Sequence, residues 1–221
     1  MAPVEQGGSR VACYGVLRGC MAAMQAADEF FYIDHAYFAS SRPFSGAAMF
    51  DGTWQFGVKG HYRVVRNGFW HSCAESNEDD TRLKDLGVTL KDWRTKGDHI
   101  VIVPPSEYSE VYHDRRGWLD DTLKRLALHT DRAHIVHTKH DAVPLKEVLK
   151  GAWCLVTDHS NAAIDALTEG VPAIMTHPAR RLGCIGEIEN PPMRRDFFAH
   201  LANNQWSLAE MAAGENWKRD D

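Results

Sequence analysis

The chain has no CxxC pair and no HExxH, and its five cysteines (Cys13, Cys20, Cys73, Cys154, Cys184) form an odd, scattered set. That pattern excludes a disulfide framework and a structural zinc cluster as the organising device. Free thiols in a reducing compartment are expected, which predicts a cytoplasmic location. No apolar run approaches the roughly 20 residues that span a bilayer. The N-terminal MAPVEQGGSR is too polar for a signal peptide. Positive charge is not in excess either: 25 Lys and Arg against 30 Asp and Glu leave a net charge of −5. This argues against a general nucleic-acid coat while allowing a local basic face. Internal repeats and low-complexity segments are also lacking. The twelve histidines fall in no ligand-spacing motif, so no metal is expected.

What is there is ordinary globular composition, 44% hydrophobic and 25% charged over 221 residues, enough for one large domain or two smaller ones. The most informative stretch is WCLVTDHSNAAIDALTEGVPAI, residues 153–174. An apolar run of strand length (153–156) leads into a polar turn (157–161). Ala163, Ile164, Ala166 and Leu167 follow at helical spacing, closed by Gly170, and a second apolar run begins at Val171. Strand, turn, helix and strand make one parallel crossover unit. In such a unit ligands gather at the carboxyl end of the strand. The backbone N–H groups of Ser160, Asn161 and Ala162 are predicted to be unpaired there and to hold a nucleotide diphosphate.

The rest of the chain repeats the alternation. Residues 11–17 read as a strand, 20–29 as a helix and 30–33 as a second strand. Residues 38–60 read as one long loop rich in Gly, Ser and aromatics, and 61–65 as a short strand. A short helix is predicted near 81–86. Strands at 99–103 and 134–137 and helices at 118–128 and 144–150 precede the central unit, and helical stretches at 193–202 and 207–213 follow it. This predicts a doubly wound α/β architecture in two lobes. The divisions expected are 1–97 for an acceptor-side lobe, 98–192 for a nucleotide-sugar lobe and 193–221 for a helical extension.

Candidate residues follow from position. Lys139 lies just past the strand at 134–137, where it either neutralises a diphosphate leaving group or is a solvated surface lysine. Ser106 and Glu107 end the strand at 99–103 and either face a cleft or cap the next segment. Glu169 sits where the helix dipole disfavours it, a hint of a role such as accepting bonds from ribose hydroxyls. Asp34 and His35 close the second strand, and either could take a proton from an acceptor hydroxyl. The alternative is that Asp34 caps a turn and His35 packs on the aromatic loop. Arg18, His61, Arg63, Arg66 and Asn67 suggest an anionic ligand or a phosphate-bearing acceptor, or simply a solvated basic edge. The aromatics Tyr37, Phe38, Phe44, Phe50, Trp54 and Phe56 read as loop anchors more readily than as a stacking platform.

With GVLRGC (15–20), FYIDHAYF (31–38), HYRVVRNG (61–68), IVPPSE (102–107), the 152–174 stretch, IENPP (188–192) and NQWSLAEM (204–211), the chain resembles a small member of the GT-B glycosyltransferase-like group. It is similar to surface-polysaccharide and Kdo-type transferases and to phage-encoded DNA-modifying transferases. The resemblance implies two Rossmann-like lobes with a deep cleft between them and a reduced N-terminal lobe. It implies a nucleotide-sugar co-substrate in the C-terminal lobe, with Ser160 and Asn161 on donor phosphate, Lys139 on the diphosphate and Glu169 on the ribose. No further cofactor and no metal are implied. The acceptor implied is a hydroxymethylated pyrimidine in phage DNA or a surface glycan. The alternatives are a nucleotide-sugar epimerase or hydrolase, or a non-catalytic nucleotide- or DNA-binding module of the same fold. A homodimer would suit the aromatics as readily as an acceptor site.

Overall fold

Apolar strands alternating with short helices build a mixed α/β fold with two four-stranded sheets, one of mixed direction and one all-parallel. The computed structural model describes residues 9–16, 19–39, 49–50, 53–54 and 60–217. In chain order the strands and α-helices are β1 (Arg10–Tyr14), α1 (Cys20–Ala26), β2 (Glu29–His35), β3 (Met49–Phe50), β4 (Thr53–Trp54), β5 (His61–Arg66) and α2 (Thr81–Asp85). There follow β6 (His99–Val103), α3 (Glu107–Tyr112), α4 (Trp118–Leu126), β7 (Ala133–Val136), α5 (Leu145–Val148), β8 (Ala152–Thr157), α6 (Ala162–Thr168) and β9 (Ala173–Met175). The chain closes with α7 (Phe198–Asn203), β10 (Gln205–Ser207) and α8 (Leu208–Ala212). Among the described residues no helix is long and apolar enough to cross a membrane.

The chain divides into two compact units. One takes the residues up to His71, Asp79–Leu86 and everything from Ala199 on; the other takes Ser72–Glu78 and Gly87–Phe198. These units are grouped differently from the divisions at 97 and 193 expected from sequence. The C-terminal segment returns to the first unit because β10 pairs antiparallel with β5, and the side chain of Gln205 bonds the backbone of Tyr37 and Phe38.

In the first unit the sheet order is β1-β2-β5-β10, with β1 and β2 parallel through the α1 crossover. Met24 of α1 packs on Cys13 and Tyr32 beneath it. Within the stretch read as one long loop, β3 and β4 pair antiparallel. Phe44 and Phe56 lie outside the described residues.

In the second unit the order is β7-β6-β8-β9, all parallel. Five of the six β8 residues are buried, as expected of a strand covered on both faces. Its core joins Ile100 and Ile102 of β6, Cys154 and Val156 of β8, and Ile174 of β9 to Trp118 and Leu126. Helix α4 buries Trp118, Thr122 and Leu126 at helical spacing, with Asp120 and Asp121 in its first turn and Lys124 and Arg125 in its last, the charge order its dipole favours. Strand order reverses at β6: the chain goes outward to β7 and returns to β8 on the other side. The carboxyl ends of β6 and β8 are thus the topological switch point of this unit.

Candidate functional site

At the switch point Thr157 donates its hydroxyl to the Val103 carbonyl (2.6 Å), joining the ends of β8 and β6. The chain leaves β8 as Asp158, His159, Ser160 and Asn161, and leaves β6 through Pro104 and Pro105 into α3. The two exits meet: Ser109 Oγ of α3 lies 2.7 Å from His159 Nε2, and His159 Nδ1 lies 2.8 Å from Asp158 Oδ2. The other Asp158 oxygen accepts from Arg115 (Nε 3.0 Å, Nη2 2.7 Å) and from Thr176 Oγ1 (3.1 Å). Thr176 in turn accepts from the Trp118 indole (2.7 Å). Arg180, fully buried, donates to the His159 carbonyl (2.8 Å) and to Asn161 Oδ1 (2.9 Å), so the turn is held from below.

Electrostatics assign the protons. Burial alone would raise the Asp158 carboxyl, but bonds from His159 and Arg115 outweigh it and hold it down at about 2. Asp158 is therefore an acceptor at neutral pH. A neutral His159 carries its proton on Nδ1, and Nε2 is left to accept from the Ser109 hydroxyl. His113 and His177 stand edge-on to His159, with ring centroids 5.4 and 5.5 Å away. Burial, reinforced by His159 and His177, pushes His113 down to about 4, and burial lowers His177 as well. Among the described residues no group of His, Cys, Asp and Glu is arranged to hold a metal ion.

Beside this network lies a cavity of about 580 Å³ between residues 114–125, which include most of α4, and residues 176–185. Arg115, Arg116, Lys124, Arg125 and Arg181 line it against two carboxylates, Asp114 and Asp121. Arg115 and Thr176 belong both to the cavity wall and to the bonds on Asp158.

The residues expected from sequence are distributed differently. Ser160 N–H bonds Thr157 Oγ1 (3.4 Å) and Ala162 N–H bonds Ser160 Oγ (3.2 Å), so two of the three amides reserved for a diphosphate are satisfied within the turn. Asn161 turns its carbonyl oxygen to Arg180. Lys139 is exposed three residues past the end of β7, on the same carboxyl edge of the parallel sheet as Ser160, with β6 lying between β7 and β8. Ser106 is the α3 N-cap, accepting from Ser109 N–H (3.4 Å), and Glu107 is exposed in the first turn. Glu169 sits at the far end of α6 from Ser160, paired with Lys91 and Lys146, which explains its place at a helix C-terminus.

In the first unit Asp34 accepts from Arg63 (2.7 Å), Tyr32 (2.9 Å) and the His35 N–H (2.7 Å). Burial would raise its carboxyl, and these partners, Arg63 foremost, bring it below the ordinary value. Asp34 is thus the counter-ion of a buried arginine, and most of its accepting capacity is committed. Arg63 is core rather than surface: it also donates to the His35 carbonyl (2.7 Å) and the Phe69 carbonyl (3.2 Å). His35 is half-buried at the strand end, edge-on to Tyr14. Arg66 pairs with Glu29. Asn67 takes a left-handed turn (φ 50°), its side chain accepting from Phe30 N–H. His61 begins β5 with a buried Nδ1 that has no hydrogen-bond partner among the described residues. Arg18 lies outside the described residues.

Ser109, Arg115, His113 and His177 were not anticipated. The signal available is positional: His159 and His177 each follow closely on the carboxyl end of a parallel strand, where α/β sheets carry their ligands. Compared with protein-family models, with curated proteins and with solved structures, the chain shows no match.

Proposed function

We propose that the protein is a glycosyltransferase of GT-B type that moves a sugar from a nucleotide-activated donor to an acceptor hydroxyl, with the donor held by the second unit. The observation that carries this reading is the cationic cavity beside the switch point. Its volume of about 580 Å³ falls in the range of small-ligand sites, roughly 300–1,000 Å³. Arg115 is paired with Asp158 and Lys124 with Asp121, and Arg116, Arg125 and Arg181 then outnumber the remaining lining carboxylate, Asp114, which favours a ligand with more than one negative charge. A nucleoside diphosphate supplies that charge, and the same cations stabilise the charge that grows on the diphosphate as the glycosidic bond breaks. In this reading Arg116, Arg125 and Arg181 take the donor role first expected of Lys139 and the Ser160 turn.

The test is calorimetric titration with UDP, GDP, CDP, CMP and ADP. One base is expected to bind at micromolar level. Arg181→Ala should weaken that binding about tenfold or more, the usual effect of losing a hydrogen bond to a charged group. No binding across the panel, or binding unchanged in Arg181→Ala and Arg125→Ala, would remove the donor site from this cavity.

A further inference from the structure

Glycosyl transfer as proposed makes no use of Ser109, yet its hydroxyl is placed as in a nucleophilic centre. We propose that Ser109, His159 and Asp158 form a hydroxyl–imidazole–carboxylate relay that gives the protein a second activity, hydrolysis of small carboxylic esters through an acyl-serine. The distances are those of working relays, 2.7 Å from Ser109 Oγ to His159 Nε2 and 2.8 Å from His159 Nδ1 to Asp158 Oδ2. Each part is oriented by something else. Asp158 is fully buried and spends Oδ1 on Arg115 and Thr176, which leaves Oδ2 for the imidazole. His159 is held through its carbonyl by Arg180 and flanked by the rings of His113 and His177.

Access and substrate class come from α3. The helix buries none of its residues, and Tyr108 and Val111 are 62% and 56% exposed. Tyr112, one turn on from Ser109, is also exposed. Of these, Tyr112 shares the Ser109 face of the helix, and its ring suits an ester with a short apolar acyl group.

In the first step Ser109 Oγ bonds to the ester carbon while its proton passes to His159 Nε2. The tetrahedral adduct collapses, the ester C–O bond breaks and the leaving alcohol takes the proton from Nε2. Water then attacks the acyl-serine and gives a proton to Nε2. The carboxylic acid departs and Oγ recovers its proton, so water is the co-reactant and no oxidant or reductant is needed. An imidazolium formed on the way faces the Asp158 carboxylate, with the Arg115 guanidinium beyond it and His113 and His177 alongside.

The probe is diisopropyl fluorophosphate, which forms a P–O bond to an activated serine and expels fluoride. The full chain is labelled and mapped by mass spectrometry, with p-nitrophenyl butyrate turnover in parallel. A single adduct on Ser109 is expected, absent in Ser109→Ala and formed at least about 100-fold more slowly in His159→Gln. Labelling by Asp158→Asn should also be slowed, since the imidazole loses the carboxylate that orients it. Because Ser109 is on a surface helix, Ser109→Ala should keep the wild-type melting temperature, so lost turnover in that variant reports chemistry. Absence of an adduct, an adduct on another residue, or wild-type labelling in a folded His159→Gln overturns the relay. Labelling needs no nucleotide and calorimetry needs no serine, so failure here and failure of the donor site are read separately.

Discussion

A buried arginine decides what Asp34 does. The Arg63 side chain is 5% exposed and that of Asp34 26%, so the two partners stand differently when the other is removed. Asp34→Ala leaves a guanidinium in the core without its counter-ion and should cost about 3 kcal/mol in urea denaturation. Arg63→Met leaves a carboxylate that still reaches water and should cost less. The double variant Asp34→Ala/Arg63→Met should recover part of the loss, because an apolar pair replaces a stranded charge. If Asp34→Ala kept full stability and lost only activity, Asp34 would regain the role of general base. His113 supplies a pH dependence at the same scale. Its value is about 4 when folded against 6.5 in a free chain, so between these the unfolded chain binds a proton that the folded chain does not. Stability is then fully present above pH 6.5 and falls as the pH drops toward 4. His177 and His61 are lowered too and act in the same direction. Replacing His113 by Gln should flatten part of that decline in urea midpoints measured from pH 7 to pH 4. Asp158, held at about 2 against 3.8, contributes a separate loss that begins only below pH 4.

At the level of elements, the central crossover was legible because its signals agree. An apolar run, a polar turn, helical spacing of small residues and a closing glycine all point to the β8-α6-β9 unit that is observed. Gly170 shows how strict that closing signal is. Its φ is +80°, and a Cβ there would run into the Asp92 carbonyl, since the 91–94 segment crosses the end of α6 with Arg94 N–H bonded to the Gly170 carbonyl (2.8 Å). Gly117, before α4, has a similar φ of +77° but open space around it. Gly117→Ala should therefore cost about 1 kcal/mol, the left-handed penalty alone. Gly170→Ala should cost about 2 kcal/mol or more, because backbone must also move. Equal losses in thermal unfolding would mean that the 91–94 segment yields freely. Elements without such agreement were missed. Strand β10 is three residues, QWS, too short for a period, and it exists because β5 offers an edge and Gln205 satisfies the Tyr37 and Phe38 backbone. Helix α3 is only six residues, and its apolar residues Tyr108, Val111 and Tyr112 are exposed rather than packed on a core, so it gave too short a signal to read. The site shared that fate. Asp158 and His159 are neighbours in sequence, but Ser109 and Arg115 stand 50 and 43 positions from their partners and are joined to them only by the crossover topology.

Over the whole molecule, charge works in two directions. The chain carries a net charge of −5, while the cavity in the second unit collects five cationic side chains against two carboxylates. Screening acts over about 10 Å at 0.1 M salt, so an anion meets the cavity cations only at short range and is not drawn in by the overall field. A small diphosphate needs only the few cations gathered inside 580 Å³, whereas a duplex must lay a polyanion across a surface whose total charge repels it. For the proposed transferase this favours a glycan hydroxyl over a DNA base as the acceptor, and salt titration separates the two. Raising sodium chloride from 50 to 500 mM should weaken diphosphate binding by about tenfold or less. Duplex DNA should show no high-affinity binding even at 50 mM. A duplex that bound tightly and lost affinity linearly in the logarithm of salt concentration, at close to −0.9 per phosphate contact, would reverse the assignment. The acceptor would then be a hydroxymethylated base, and the enzyme would need to draw it out of the stack before the sugar could be transferred.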